Sequence, residues 1–302
     1  MKFTIRVPAS TSNLGPGFDA LGLALSLHNE VVVAPAEAFS VSVLGEGRGA
    51  LPEDETNLIV RAARRACAES SLELPPVSIR CTNGIPLDRG LGSSSAAIVS
   101  GLLLGNHLTG SMLDREQLLA LATELEGHPD NVAPALFGNL QVALRAQDKV
   151  HRVELNTAHL PQVVLFIPPF KMPTHEGRAL LPTTISMHDA VLSVGRVALL
   201  VAALSAGRFE ALTEATRDVL HQPPREKNFP AMPRLLDAAR DAGAVGAWLS
   251  GAGSTLAAFA RTVDDARRVA RAFMDEGARC DITGSSHIVA IDRFGATVER
   301  NA

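Results

Sequence analysis

The chain has 302 residues, 46% of them hydrophobic, and a formal net charge of −4. That is apolar material enough for one large domain or two of ordinary size, and it argues against disorder. The acidic balance, the absence of tyrosine and an aromatic content of 4% exclude a basic, base-stacking surface for nucleic acid.

The first strand is read over Lys2 to Val7, where Phe3, Ile5 and Val7 alternate with Lys2, Thr4 and Arg6. A loop of small residues follows, Pro8-Ala9-Ser10-Thr11-Ser12-Asn13-Leu14-Gly15-Pro16-Gly17-Phe18-Asp19, in which Asn13 and Asp19 can reach a polar ligand. Phe39, Val41 and Val43 mark a second alternating strand. The run Gly45 to Ala50 matches a dinucleotide-binding spacing, but Leu51-Pro52-Glu53-Asp54-Glu55 opens no helix where that fold needs one, so it reads as a surface loop. A helix is expected over Asn57–Ser70 and a strand over Val77, Ile79 and Cys81.

Next comes the run with the clearest chemistry, Gly90-Leu91-Gly92-Ser93-Ser94-Ser95-Ala96-Ala97, at the start of a helix expected over Ser93–His107. Glycines let the backbone approach a ligand and adopt positive φ. The first helical turn offers unpaired N–H groups at the positive end of the dipole, so the run reads as an anion site suited to phosphate. It lacks the GK[ST] of a Walker loop.

A helix over Asp114–Glu126 carries its own start and stop: Asp114 as N-cap, Gln117 three residues on, and Gly127 at the end. It runs into Glu124-Leu125-Glu126-Gly127-His128-Pro129-Asp130-Asn131, read either as a solvated helix end or as a place where a carboxylate holds Mg²⁺ beside a phosphate. One histidine and no cysteine do not make a zinc site. Leu140, Val142 and Leu144 mark a strand, and polarity rises over Ala146–Thr157, where a domain break is placed.

The second half restarts with an apolar strand, Val163–Ile167. Helices follow at Ser186–Leu204, Phe209–Leu220 and Pro233–Ala242. Ala190 to Ala206 is the most membrane-like stretch, but Arg196 interrupts it and it is short of the roughly 20 apolar residues of a span, so it reads as a buried helix. Strands Val245–Leu249 and Thr255–Ala260 flank a glycine turn, Ser250-Gly251-Ala252-Gly253-Ser254, which reads as a hairpin turn or a ligand loop. A helix over Asp264–Glu276 and a strand over His287–Ile291 close the chain. Strands and helices alternate without a regular βαβ rhythm, which points to α+β and two domains. Three scattered cysteines without a CxxC pair and an N-terminus too polar for a signal peptide point to a reducing cytoplasm and no membrane.

Taken in order, Pro-Ala-x-x-x-Asn-Leu-Gly-x-Gly-Phe-Asp from Pro8, Pro-x-x-x-Gly-Leu-Gly-Ser-Ser from Pro86, Asp-Asn-Val-Ala-Pro from Asp130 and Ser-Gly-Ala-Gly from Ser250 resemble the homoserine kinases of the GHMP kinase superfamily. The resemblance runs from about Ile5 to Phe259. It implies an N-terminal ATP-binding domain over residues 1–155, like the second domain of ribosomal protein S-five, and a ferredoxin-like C-terminal domain over 156–302. It further implies that Pro86, Leu87, Asp88, Arg89, Gly90, Leu91, Gly92, Ser93, Ser94, Ser95 and Ala96 form the phosphate loop for ATP. Ser94 and Glu126 match the magnesium pair, with Glu124 the alternative carboxylate. Asn13, Asp19, Asp130 and Asn131 match residues around homoserine, with Asp19 and Asn13 on the α-amino group and Asn131 orienting the hydroxyl. No catalytic base is assigned: Asp130 is the candidate, but the resemblance implies a reaction that works without one, and binding alone accounts for an aspartate there. Arg178 and Arg225 match two arginines that hold the substrate carboxylate. Asp88-Arg89 departs from the small residues common there, which would lean Arg89 over the phosphates. A homodimer is an assembly common in such families. Kinases of other alcohols, such as mevalonate, and a non-catalytic sensor on the same fold are the competing readings.

Overall fold

A computed structural model describes residues 2–147 and 149–300. The first sheet begins with β1 (Phe3–Asn13), which runs straight through the segment read from sequence as a loop. A tight turn leads into β2 (Gly17–Pro35), a strand the sequence pattern did not reveal. The sheet is completed by β3 (Ser40–Gly45), β4 (Val77–Asn83), β5 (Leu140–Ala146) and β6 (Lys149–Leu155). β2 is its hub, pairing antiparallel with β1, β4 and β5, while β3 runs parallel to β4. The polar stretch expected to be a break is the β5–β6 hairpin, whose outer strand alternates between exposed and half-buried residues.

Four helices cover this sheet. α1 (Leu58–Glu69) starts at Asn57, whose side chain accepts the N–H of Ile59. α2 (Ser93–Leu108) is buried along most of its length. α3 (Arg115–Glu126) has the expected capping box of Asp114 and Gln117 and ends at Gly127 in the left-handed conformation. α4 (Pro129–Phe137) was not foreseen. Pro129 occupies its first turn, where the missing N–H costs nothing.

The second sheet orders as β10 (Ser285–Val289), β7 (Gln162–Ile167), β9 (Leu256–Ala260) and β8 (Gly246–Leu249). β7 is apolar on both faces. Val164 and Phe166 pack beneath α9 (Met232–Asp241) and α10 (Val263–Arg279), while Val163 and Leu165 join the core of the first sheet. Trp248 and Phe259 lie in that shared core as well, so the two sheets are welded by one apolar cluster. The last strand, β11 (Thr297–Arg300), crosses back and pairs with β1. The first sheet thus takes strands from both sides of residues 155 and 156.

Short helices α5 (Thr174–Ala179), α7 (Leu212–Ala215) and α8 (Gln222–Arg225) lie between β7 and α9. α6 (Met187–Ala206) corrects the expectation of a buried helix: only Leu200, Ala203 and Leu204 are buried, and Val191 and Val194 face outward at 64% and 71% exposure. It is long and apolar enough to cross a membrane, but it packs through one stripe against the following turn and α7.

Candidate active site

A cleft of about 310 Å³ opens between the two sheets, and the loop from Pro86 to Gly92 forms its floor. Gly90 sits at φ +69°, and a Cβ there would meet the Ser250 carbonyl oxygen at 2.0 Å. Gly92 caps α2 at φ +70°, and a Cβ there would meet Ser10 Oγ at 2.2 Å and Asn131 Oδ1 at 3.2 Å. Only glycine allows the loop to pass this close to its neighbours. No side chain caps α2, so the N–H groups of its first turn face the cleft with the positive end of a sixteen-residue helix behind them.

The second sheet clasps this loop from behind. Ser250 Oγ donates to the Gly90 carbonyl at 2.6 Å, Thr255 N–H donates to the Arg89 carbonyl, and Met172 N–H donates to the Asp88 carbonyl. Trp248 Nε1 donates to Thr11 Oγ1 at 3.0 Å, and that hydroxyl lies 2.8 Å from Ser250 Oγ. The glycine turn is thus a hairpin turn that also braces the loop over residues 86–92. Arg89 lines the cleft, and its Nη2 donates to the Pro169 carbonyl of the other domain at 2.7 Å.

Ser94 and Ser95 both donate to Oε1 of Glu126, each at 2.8 Å. The end of α3 and the start of α2 therefore bring a carboxylate and two hydroxyls together beside the open N–H groups. That oxygen-only set suits a hard divalent cation. Glu124 lies elsewhere, 3.4 Å from Arg65 on the outer surface.

The far wall is polar and mostly buried. Asp130 is 2% exposed on the first turn of α4, with His128 Nδ1 at 2.5 Å from its Oδ1. Burial pushes the His128 imidazole down, but the hydrogen bond and charge of Asp130, reinforced by Asp19, overcome it and raise the net value. Asn131 accepts from Ser10 Oγ and donates to Ser12 Oγ, which ties it to β1. Asp19, Asp130 and His128 offer ligand atoms all within 4.8 Å of one another. Asn13 has one amide N–H on the Gly251 carbonyl and its Oδ1 on the Asp19 N–H, so it holds the turn that presents Asp19.

Two arginines converge on this wall from the second domain. Arg178, on α5, makes a two-pronged pair with Asp19 at 3.0 and 2.6 Å, and Asp19 holds its guanidinium above the ordinary value despite the opposing effect of burial. Arg225, on α8, is 2% exposed. Burial pushes it down to about 10, with the charge of Arg178 adding to the shift. Both guanidinium carbons sit over the ring of Phe18, at 5.5 and 5.8 Å from its centroid. Sequence reasoning missed Phe18 and His221. The first stood inside a quoted motif, and the second lies one helical turn before Arg225, a spacing that could have flagged it.

Models of the GHMP kinases match this chain twice, the N-terminal domain model over residues 57–139 and the C-terminal model over residues 200–279. The homoserine kinase of Desulfitobacterium hafniense is 40% identical over 97% of this chain and 99% of its own length. That of Synechocystis sp. is 39% identical over 99% of both. The crystal structure of homoserine kinase from Cytophaga hutchinsonii superposes with a TM-score of 0.89 at 28% identity, covering 98% of this chain and 97% of that one. Mevalonate kinase from L. major shares the fold alone, at 15% identity and a TM-score of 0.67.

Proposed function

This chain belongs to the homoserine kinases of the GHMP kinase superfamily, and from that premise we propose how its residues divide the work. The enzyme transfers the γ-phosphoryl group of ATP to the side-chain hydroxyl of L-homoserine, giving O-phospho-L-homoserine and ADP. Phosphoryl transfer asks mainly for alignment and for neutralisation of charge.

The phosphates of ATP lie on the loop from Pro86 to Ala96, against the open N–H groups of α2. Glu126 and Ser94 would hold Mg²⁺, which would supply positive charge to offset that of the phosphates. The residues fit it, since Glu126 Oε1 collects two hydroxyl hydrogen bonds and no basic partner among the described contacts.

Homoserine enters as a zwitterion. Its carboxylate is received by Arg178 and Arg225, and its ammonium by Asp19 and Asp130. Asn131, braced by Ser10 and Ser12, orients the hydroxyl toward the phosphate floor. Asp130 needs no role as a base: its engagement with His128 favours a binding role.

The observation that carries this reading is the placement of two arginines and two aspartates on one wall, facing the phosphate loop across one cleft. Mevalonate has no ammonium to satisfy that acidic pair. A coupled ADP-release assay with homoserine, serine, threonine and mevalonate tests it: homoserine should give by far the highest kcat/KM, and preference for mevalonate would overturn the substrate assignment.

A further inference from the structure

His221 is fully buried, and neither the sequence motifs nor the proposed chemistry uses it. Its Nδ1 lies 2.5 Å from Nη1 of Arg225. A guanidinium can only donate, so Nδ1 must carry a lone pair. The ring proton then sits on Nε2, which donates to the Gly15 carbonyl at 2.7 Å. Two partners of fixed polarity thus select one neutral tautomer.

The surroundings allow the ring little freedom. Phe18 stacks on it, with centroids 5.3 Å apart and planes 24° from parallel. Asp218 Oδ2 lies 3.8 Å from Nε2, but its oxygens already accept the N–H groups of Leu220, His221 and Gln222, which pins the turn that delivers the histidine. Gly15 stands at φ +92°, and a Cβ there would meet the Thr216 carbonyl oxygen at 2.2 Å, so the turn carrying Asp19 is pressed directly against this segment.

One end of the ring therefore holds the Asp19 turn, in the first domain, and the other holds Arg225, in the second. We propose that His221 is a positioning residue that sets the spacing between the carboxylate-binding arginine and the ammonium-binding aspartate, and so selects for an α-amino acid. This rests on the substrate assignment above. His221 touches no reacting atom; it acts by aiming the Arg225 guanidinium, whose other N–H groups reach the carbonyls of Gly177 and Gly251.

Two near-isosteric variants separate the two bonds. His221→Gln keeps a donor near Nε2 and removes the acceptor for Arg225; His221→Asn keeps an acceptor near Nδ1. His221→Gln should raise KM for homoserine about 10-fold or more, as expected for losing a hydrogen bond to a charged group, with KM for ATP and kcat little changed. His221→Asn should restore most of that loss. The aminopropanol obtained by removing the carboxylate of homoserine serves as a competitive inhibitor that never meets Arg225, and its inhibition constant should be the same for both variants and the unaltered enzyme. Equal losses for homoserine, ATP and aminopropanol would mean a merely structural role and overturn the proposal, as would an unchanged KM in His221→Gln. If His221→Gln does not fold, histidine-labelled unaltered enzyme decides by proton–nitrogen correlation spectra. The His221 ring should hold the neutral Nε2–H form across about pH 6 to 8, and a Nδ1–H form or an imidazolium there overturns it. An unaltered enzyme inactive on homoserine but active on another alcohol would instead refute the substrate assignment alone.

Discussion

Arg178 and Asp19 grip each other across the domain boundary through two parallel hydrogen bonds, Nη1 to Oδ2 at 3.0 Å and Nη2 to Oδ1 at 2.6 Å. In the proposed site these are the groups that receive the carboxylate and the ammonium of the substrate. This pair is an internal copy of the one homoserine would supply, and binding would exchange one pair for two. Neither the partly buried guanidinium nor the partly buried carboxylate is then left without an opposite charge.

Removing Arg178 tests that exchange. Arg178→Ala should raise KM for homoserine by about 10- to 100-fold, as expected for losing a charge-assisted pair, with KM for ATP nearly constant. Arg178→Lys should recover only part of it, because an ammonium cannot make the two-pronged contact. Initial rates over a matrix of both substrates separate the two constants, and an unchanged KM for homoserine refutes the role.

Glu126→Gln keeps the shape of the side chain and removes its charge. If Glu126 holds Mg²⁺ beside the phosphates, kcat should fall by about 100-fold or more, in line with losing a preorganised electrostatic group, and the Mg²⁺ concentration for half-maximal rate should rise. Ser94→Ala should do the same more mildly. Glu124→Ala should leave both parameters near their starting values, since Glu124 pairs with Arg65 away from the cleft. Rates titrated against Mg²⁺ at saturating ATP provide the check.

Gly92→Ala places a methyl where Ser10 Oγ stands 2.2 Å away, at a φ of +70°. The loop must shift or strain, which costs on the order of 1–3 kcal/mol. The expected outcome is a lower Tm and a large loss of ATP binding in calorimetry. An unaltered ATP affinity would mean that the loop does not carry the phosphates.

The pair of His128 and Asp130 makes a prediction about pH. His128 is raised above its ordinary 6.5 by Asp130 against the opposing effect of burial. A raised folded value means the folded state holds the proton more tightly than the unfolded chain does. The stabilisation is therefore fully present below about 6.5 and is lost as pH rises through the raised folded value. The difference in unfolding free energy between the unaltered enzyme and His128→Gln should shrink from acidic to alkaline pH in urea titrations. A difference that grows with pH would show that the histidine is neutral in the pair.

Much of this molecule is written locally. The capping box of Asp114 and Gln117, the stop at Gly127 and the glycine-serine run ahead of α2 depend on residues within a few positions of one another, so they are legible in the chain. Other elements escape because their signals are mixed. β2 is buried on both faces over much of its length and carries polar residues such as His28 and Asn29, so no clean alternation marks it. The prolines of α4 hide a helix, although Pro129 sits where a helix tolerates it. α6 has the composition of a buried helix, but the fold offers it only one stripe to pack against.

What the sequence determined by itself is the glycine-serine start of α2 with its open N–H groups and, through its motif order, the family. What only the tertiary structure decided is which distant groups meet: Asp19 with Arg178, Ser94 with Glu126, and His221 with the Gly15 carbonyl. The reason is one of range. Caps, turns and helix starts follow from steric and hydrogen-bonding preferences within a turn or two of chain, whereas pairs 32, 159 and 206 residues apart exist only once strand registers are set and two sheets close on a common core.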